Sequence, residues 1–297
     1  MAAQASVDLH IHSSISLDGE FRPESLVTRA VSRGVRLMAI ADHNSTRGVG
    51  QAVAAAKQEP VQVVPAIELD CVHVGIDLHL LGYGIAFDDP LYPKLEKDID
   101  QKVRAIFMPT VEKLAQVGIH VDPARVLAAA GGKPPCGELI ADVLLAYEDT
   151  RSNPVLAPYL PGGNRGDMPN INFYRDFCAQ GKPAYVPVSY MSLADAVALV
   201  RKTGGLPVIA HPGANLAGQL DTIDSILDSG VVGIEVYSSY HSPNLVAFFR
   251  EKALERDVVM TCGSDFHGKN KPLIQIGDCF AGDDEERIRT ALLPYAL

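Results

Sequence analysis

Two histidines flank one isoleucine in VDLHIHSSISLDG, residues 7–19, and an aspartate follows six residues after the second of them. Residues two apart on a strand share a face, so His10 and His12 project to one side. Two imidazoles so placed can hold a metal ion between them. Histidines also serve as polar strand ends or as satisfied core groups, so this stretch leaves both readings open. The pattern recurs, however. Asp42 and His43 close a second apolar run, Glu68 ends a third and His79 lies within a fourth. His211 ends LPVIAH, Glu235 lies in VVGIEV, and Asp265 and His267 follow VVMTCGS. Each residue alone has a structural explanation as a helix cap or a core group. Their recurrence at or near the C-terminal ends of all seven runs does not. In barrels of parallel strands that end carries the active site, and the donor types suit a metal centre.

The elements that must position these residues follow from the pattern around them. Short apolar runs alternate with helical stretches, the signature of repeated βα units and a parallel sheet. The runs are SVDLHIH, VRLMAIAD, VQVVPAIE, IDLHLLGYG, LPVIAH, VVGIEV and VVMTCGSD. PESLVTRAVSRG starts a helix at Pro23 and stops it at Gly34. In SLADAVALVRKTGG, Ser192 and Asp195 fit a capping box, and Gly204 follows the last turn. Between Leu91 and Lys182 the strands stop. LYPKLEKDIDQKVRAIFMPTVEKLAQVG predicts one long helix or two, interrupted near Pro109. Two shorter helices follow, and PVLAPYLPGGNRGDMPNIN has the composition of a loop. The expected fold is α/β: a distorted, TIM-like barrel of seven βα units. Its barrel comprises residues 1–90 and 184–297, and a helical insertion, 91–183, caps one end.

Bulk properties narrow the function classes. The 297 residues are 47% hydrophobic and 21% charged, the balance of a soluble globular protein. A net charge of −10 argues against long nucleic acid as the main partner. No apolar run approaches the roughly 20 residues of a membrane span, and MAAQASVDLH lacks the pattern of a signal peptide. The five cysteines include no CxxC pair, which suggests reduced thiols in a cytoplasmic protein rather than a zinc ribbon. Oligomeric state has no signature in the sequence.

The ordered set HIHSSISLDG, ADHN, the Glu68 strand, HLLGYG, AHPG and SDFH resembles the successive motifs of the PHP (polymerase and histidinol phosphatase) family. The resemblance covers about residues 6–90 and 184–280. It implies a distorted seven-stranded β/α barrel with a trinuclear metal centre. The layout is most similar to the branch of nucleoside 3′,5′-bisphosphate phosphatases and enzymes acting on phosphoribosyl cyclic phosphates. By this resemblance His10, His12, Glu68 and Asp265 bind a first metal, and Asp18, His43 and His267 a second. Glu68 then bridges to a third, held also by His79 and His211. Asp42 and Glu235 are expected to support the site, His73 in the VHVG turn competes weakly with His79 as a ligand, and His120 is expected at the surface.

Six neutral imidazoles and three carboxylates carry −3 against +6 for three divalent cations, a centre that favours a phosphate dianion. Cations bridged by Glu68 can share a water and lower its pKa, giving a hydroxide that attacks phosphorus. Glu68 and Asp265 are therefore the expected catalytic residues. His241, just beyond a strand, is a candidate for substrate contact and for protonating the leaving oxygen. Donors that are all N or O are compatible with manganese, iron or zinc, and the resemblance favours manganese. The expected reaction is hydrolysis of a small phosphorylated metabolite. The alternatives are a C–N amidohydrolase, an exoribonuclease on short RNA and a non-catalytic metal-binding module. In the insertion, Lys133 and Arg104 are candidates to hold a second phosphate or a ribose. GGKPPCGELI has Lys133-Pro134-Pro135 where bisphosphate phosphatases carry Arg-Pro-His, which raises the case for a cyclic phosphate or another phosphorylated sugar.

Overall fold

The computed structural model describes residues 5–297, arranged as two sheets surrounded by helices. The smaller sheet orders β1 (Val7–Ile11), β2 (Leu37–Ile40) and β3 (Gln62–Val63), all parallel. The larger contains β4 (Ala66–His73), β5 (Ile76–Tyr83), β6 (Met191–Ser192), β7 (Leu206–Ile209), β8 (Gly233–Ser238) and β9 (Val259–Gly263). Its order is β6-β4-β5-β7-β8-β9. The sheets meet at two places through parallel bridges, His43 to Glu68 and Ile11 to Phe266. Asn44 N–H donates to the Glu68 carbonyl at 2.7 Å, and Asp265 N–H to the His10 carbonyl at 2.8 Å. The metal-ligand candidates therefore sit on the backbone seams themselves.

Two expectations about the strands are corrected. VQVVPAIE is not one strand, because Pro65 lacks the N–H needed to continue a ladder; β3 ends at Val63 and β4 begins at Ala66. β4 then runs beyond Glu68 to His73 and turns back into β5 as an antiparallel hairpin. Val74 (φ 45°) and Gly75 (φ 82°) make the tight turn, the left-handed pair that a two-residue hairpin requires. β5 pairs antiparallel with β7 as well, so the larger sheet is mixed rather than all parallel.

No strand interrupts residues 91–178, and these helices have a core of their own. Leu114, Ile119, Ile140, Tyr159 and Phe173 pack together there, separate from the main core of Val7, Leu69, Leu80, Ile209 and Phe249. The helix Leu91–Gln116 is continuous through Pro109. Pro109 and Ala105, whose carbonyl loses its partner, are both exposed, so water can satisfy the freed group. The expected loop is also more ordered than its composition suggests. A 3₁₀ helix spans Pro154–Tyr159, a short α-helix Pro169–Phe173, and a π-helical turn Tyr174–Cys178. Ser192 caps the helix Leu193–Lys202 as expected, accepting from Asp195 N–H at 3.1 Å.

Candidate metal centre

Strand periodicity places the first donors. His10 Nε2 and His12 Nε2 lie 3.1 Å apart on one face of β1 and its end. Both approach Glu68 Oε2, at 3.2 and 3.1 Å, and Asp265 Oδ1, at 3.5 and 3.1 Å. Asp18 Oδ2 lies 2.9 Å from His267 Nε2 and 3.7 Å from His43 Nε2. The other Glu68 oxygen, Oε1, stands 3.0 Å from His79 Nδ1 and 3.1 Å from His211 Nε2. Four groups have donor atoms all within 4.8 Å of one another: His10–His12–Glu68–Asp265, His12–Asp18–His43–His267, Glu68–His79–His211 and His43–Asp70–His79. All nine residues expected as ligands fall in these groups, and Asp70 joins them.

Five donor atoms of the centre are left without a hydrogen bond. Among the described residues, His43 Nδ1, Glu68 Oε2, Asp70 Oδ1, Asp265 Oδ1 and His267 Nε2 are buried and lack a hydrogen-bond partner, although each faces another donor. Lone pairs aimed at common points, with no hydrogen bond between them, fit divalent cations. Burial alone would push the Glu68 carboxyl up, but His10, His43 and His79 around it hold it well below the usual carboxylate range. Burial also brings His267 down to about 4, so that imidazole is neutral, as ligation requires. His10 shifts the other way: Glu68, Glu235 and Asp265 outweigh burial and hold a proton on its ring. A cation would supply that charge instead.

A second layer orients the donors, as such centres require. Glu235 Oε1 is 3.0 Å from His10 Nδ1, while its Oε2 accepts from His211 N–H at 2.7 Å. Asp42 accepts from Ser13 N–H and Ser13 Oγ, both at 2.7 Å, and so holds the loop that carries Asp18. Tyr240 Oη and Lys271 Nζ both donate to Asp265 Oδ2, at 2.6 and 2.5 Å, leaving Oδ1 for the centre. Asp265 (φ 56°) and His211 (φ 22°) adopt left-handed backbone, a strain that persists where the surroundings over-determine it. Gly263 permits the closest approach, because a Cβ there would strike His10 and Glu235.

The centre opens into a cavity of about 990 Å³, whose lining also includes Phe107, Lys133, Tyr174 and Arg175. Lys133 reaches the wall, but its ammonium donates to the carbonyls of Ser14 and Ser16, at 2.5 and 2.9 Å. Arg104 is exposed, does not line the cavity, and donates to the Gly132 carbonyl. His241 also lies outside the lining. Its Nδ1–H donates to the Val236 carbonyl at 2.8 Å and its Nε2 accepts from Gly213 N–H at 2.9 Å. Neither ring nitrogen is free for substrate, which corrects the expectation for this residue. His73 instead pairs with Ser225, and His120 is exposed.

Three residues of the site escaped the sequence reading. Asp70 has a signal, since it is two residues beyond Glu68 and shares its face of β4; expecting the strand to end at Glu68 concealed it. It lies opposite His79 in the hairpin register, with Oδ1 3.4 Å from His79 Nε2 and 3.2 Å from His43 Nδ1. Tyr240 and Lys271 reach Asp265 from irregular segments and follow no periodicity.

A mixed α/β scaffold that gathers six histidines and four carboxylates beside one cavity has the donor set of a metal-dependent enzyme. The sequence profile described as the PHP domain matches residues 8–143. A 3′,5′-nucleoside bisphosphate phosphatase of Chromobacterium violaceum is 31% identical, over 89% of this chain and 87% of that one. A phosphoribosyl 1,2-cyclic phosphate 1,2-diphosphodiesterase of Eggerthella lenta is also 31% identical, over 88% and 94% of the two chains. A crystal structure from Bifidobacterium adolescentis, described as that of a candidate metal-dependent phosphoesterase, superposes with a TM-score of 0.75. It shares 25% identity, over 99% of this chain and 97% of that one. The chain belongs to the PHP-domain family.

Proposed function

We propose that this protein hydrolyses a phosphoester of a small phosphorylated metabolite at a trinuclear centre, with manganese as the favoured metal. The observation that carries this reading is Glu68, whose two oxygens face two different donor groups and can hold adjacent cations at a fixed separation. The first metal falls to His10, His12, Glu68 and Asp265, the second to Asp18, His43 and His267, and the third to Glu68, His79 and His211. Divalent cations held by these residues would supply water activation near neutral pH and charge neutralisation for phosphoryl oxygens. With Asp70 ionised, the four carboxylates carry −4 against +6 for three cations, so the centre still attracts a dianion.

The chain's own residues set the geometry. Glu235 fixes the His10 ring and the His211 backbone together, and Tyr240 with Lys271 occupies the outer oxygen of Asp265. Lys133 ties the insertion to the loop of Asp18, so its first role here is to position a metal-bearing loop. We read the two sheets, joined at both seams, as one distorted barrel, with residues 91–183 as a domain over its mouth. No described helix is long and apolar enough to cross a membrane, and a cytoplasmic location suits a phosphorylated metabolite.

The phosphatase and the cyclic phosphate diphosphodiesterase above mark out the substrate class. A manganese-loaded preparation offered nucleoside 3′,5′-bisphosphates, a phosphoribosyl cyclic phosphate and amide substrates should release phosphate or open the cyclic ester. Ammonia release without phosphoester cleavage would contradict the proposal.

A further inference from the structure

The cavity is far larger than one phosphate, and it is lined by five lysine or arginine side chains whose partners differ. Arg47 is paired with Glu96 at 2.7 Å, Lys271 with Asp265 at 2.5 Å, and Lys133 with two carbonyls. Lys182 is exposed at the rim. Arg175 is the half-buried exception: among the described residues its guanidinium has no acid or carbonyl partner. Its neighbour Asp176 is already committed, accepting from Arg165 at 2.7 and 2.8 Å and from Tyr159 at 2.7 Å. That network anchors the π-helical turn and leaves Arg175 to the cavity. Insertions of this kind in helices recur at functional sites.

What Arg175 does meet is Tyr240, with its guanidinium carbon 5.2 Å from the ring centroid. The same ring stands 5.5 Å from the His211 ring, and its hydroxyl donates to Asp265. An anion on Arg175 is therefore one tyrosine ring away from the metal donors. We propose that Arg175 forms an anion subsite for a second phosphoryl group of the substrate, the one that does not react. This deepens the phosphoesterase reading and rests on it. The planar fork of arginine binds phosphate through two parallel bonds, and the cation–π contact with Tyr240 holds the guanidinium near the centre. Arg175, rather than Lys133 or Arg104, is then the residue that separates doubly from singly phosphorylated substrates.

The test compares full-length, manganese-loaded wild type with Arg175→Gln and Arg175→Lys, on adenosine 3′,5′-bisphosphate and adenosine 3′-monophosphate. Arg175→Gln should raise KM for the bisphosphate about 10- to 100-fold, the loss expected for a charge-assisted contact. It should leave kcat and the monophosphate kinetics near wild type, and Arg175→Lys should recover part of the loss. Equal rises on both substrates, or no rise on either, would overturn the subsite. If wild type releases phosphate from neither, hydrolysis of these esters fails as a reading, and calorimetric binding of the bisphosphate decides for Arg175. Weaker binding by the Gln variant supports the subsite, and equal binding overturns it.

Discussion

The strand-borne donors and the side chains of residues 91–183 face one another across one cavity, yet sequence pattern fixes them to very different degrees. His10 and His12 must share a face because a strand alternates, and the same rule brings Asp70 beside Glu68. The opposite wall obeys no such rule. Lys133 meets Ser14 and Ser16 across more than a hundred residues of chain, and Arg175 finds Tyr240 only through the tertiary fold. Chemistry that depends on periodicity is written locally, whereas the surface that selects a substrate is assembled from contacts no local pattern records.

On the strand side the largest effect is expected at Glu68. Glu68→Gln should lower turnover on the order of a thousandfold or more, because one oxygen can then no longer serve as an anionic bridge. Circular dichroism should stay native, since this carboxylate supplies charge to the centre rather than packing. Near-normal turnover with metals retained would remove Glu68 as the bridge.

How far the site was legible follows the same division. Eight of the nine expected donors lie on a strand or shortly beyond its end, where spacing brings them to notice, whereas Asp18 sits in the loop after β1 and was placed by the family resemblance alone. Asp70 was missed when the Glu68 strand was ended too early: Pro65 and the Val74–Gly75 turn shift the segment into a hairpin, and the mixed sheet follows from that turn. His241 looked accessible beyond its strand, but backbone groups of Gly213 and Val236 consume both of its nitrogens. Pro109 looked like a break, yet its exposed position lets the helix continue. Tyr240 and Lys271 converge on Asp265 from irregular backbone, where spacing carries no information.

Asp70, on the same strand face as Glu68, is expected to give a smaller effect. Asp70→Ala should weaken metal binding about 10- to 100-fold at the positions served by His43 and His79, the range for losing a carboxylate that contacts metal-binding histidines. Titration calorimetry of the metal-depleted protein would show it. Unchanged affinities would place Asp70 outside the centre.

The insertion side yields a smaller effect, read as stability against pH. Burial raises the Glu138 carboxyl to about 7 from its usual 4.5, with Asp18 adding to the rise. The folded state thus holds this proton more tightly than the unfolded chain. The associated stability is complete below about 4.5 and lost as pH rises through about 7. The shift corresponds to about 3 kcal/mol. Glu138→Gln should therefore unfold at a higher Tm than wild type at pH 8, with the difference shrinking toward pH 4.5. A difference that does not vary with pH would show that this carboxyl stays ionised in the fold.

The proposed chemistry requires several metals rather than one. Elemental analysis of protein saturated with manganese and freed of excess, run beside phosphate release from the same sample, tests it most directly. Three ions per chain are expected, with loss of phosphate release on chelation and recovery on adding manganese back. One ion or fewer per chain, with phosphate release intact, would contradict it.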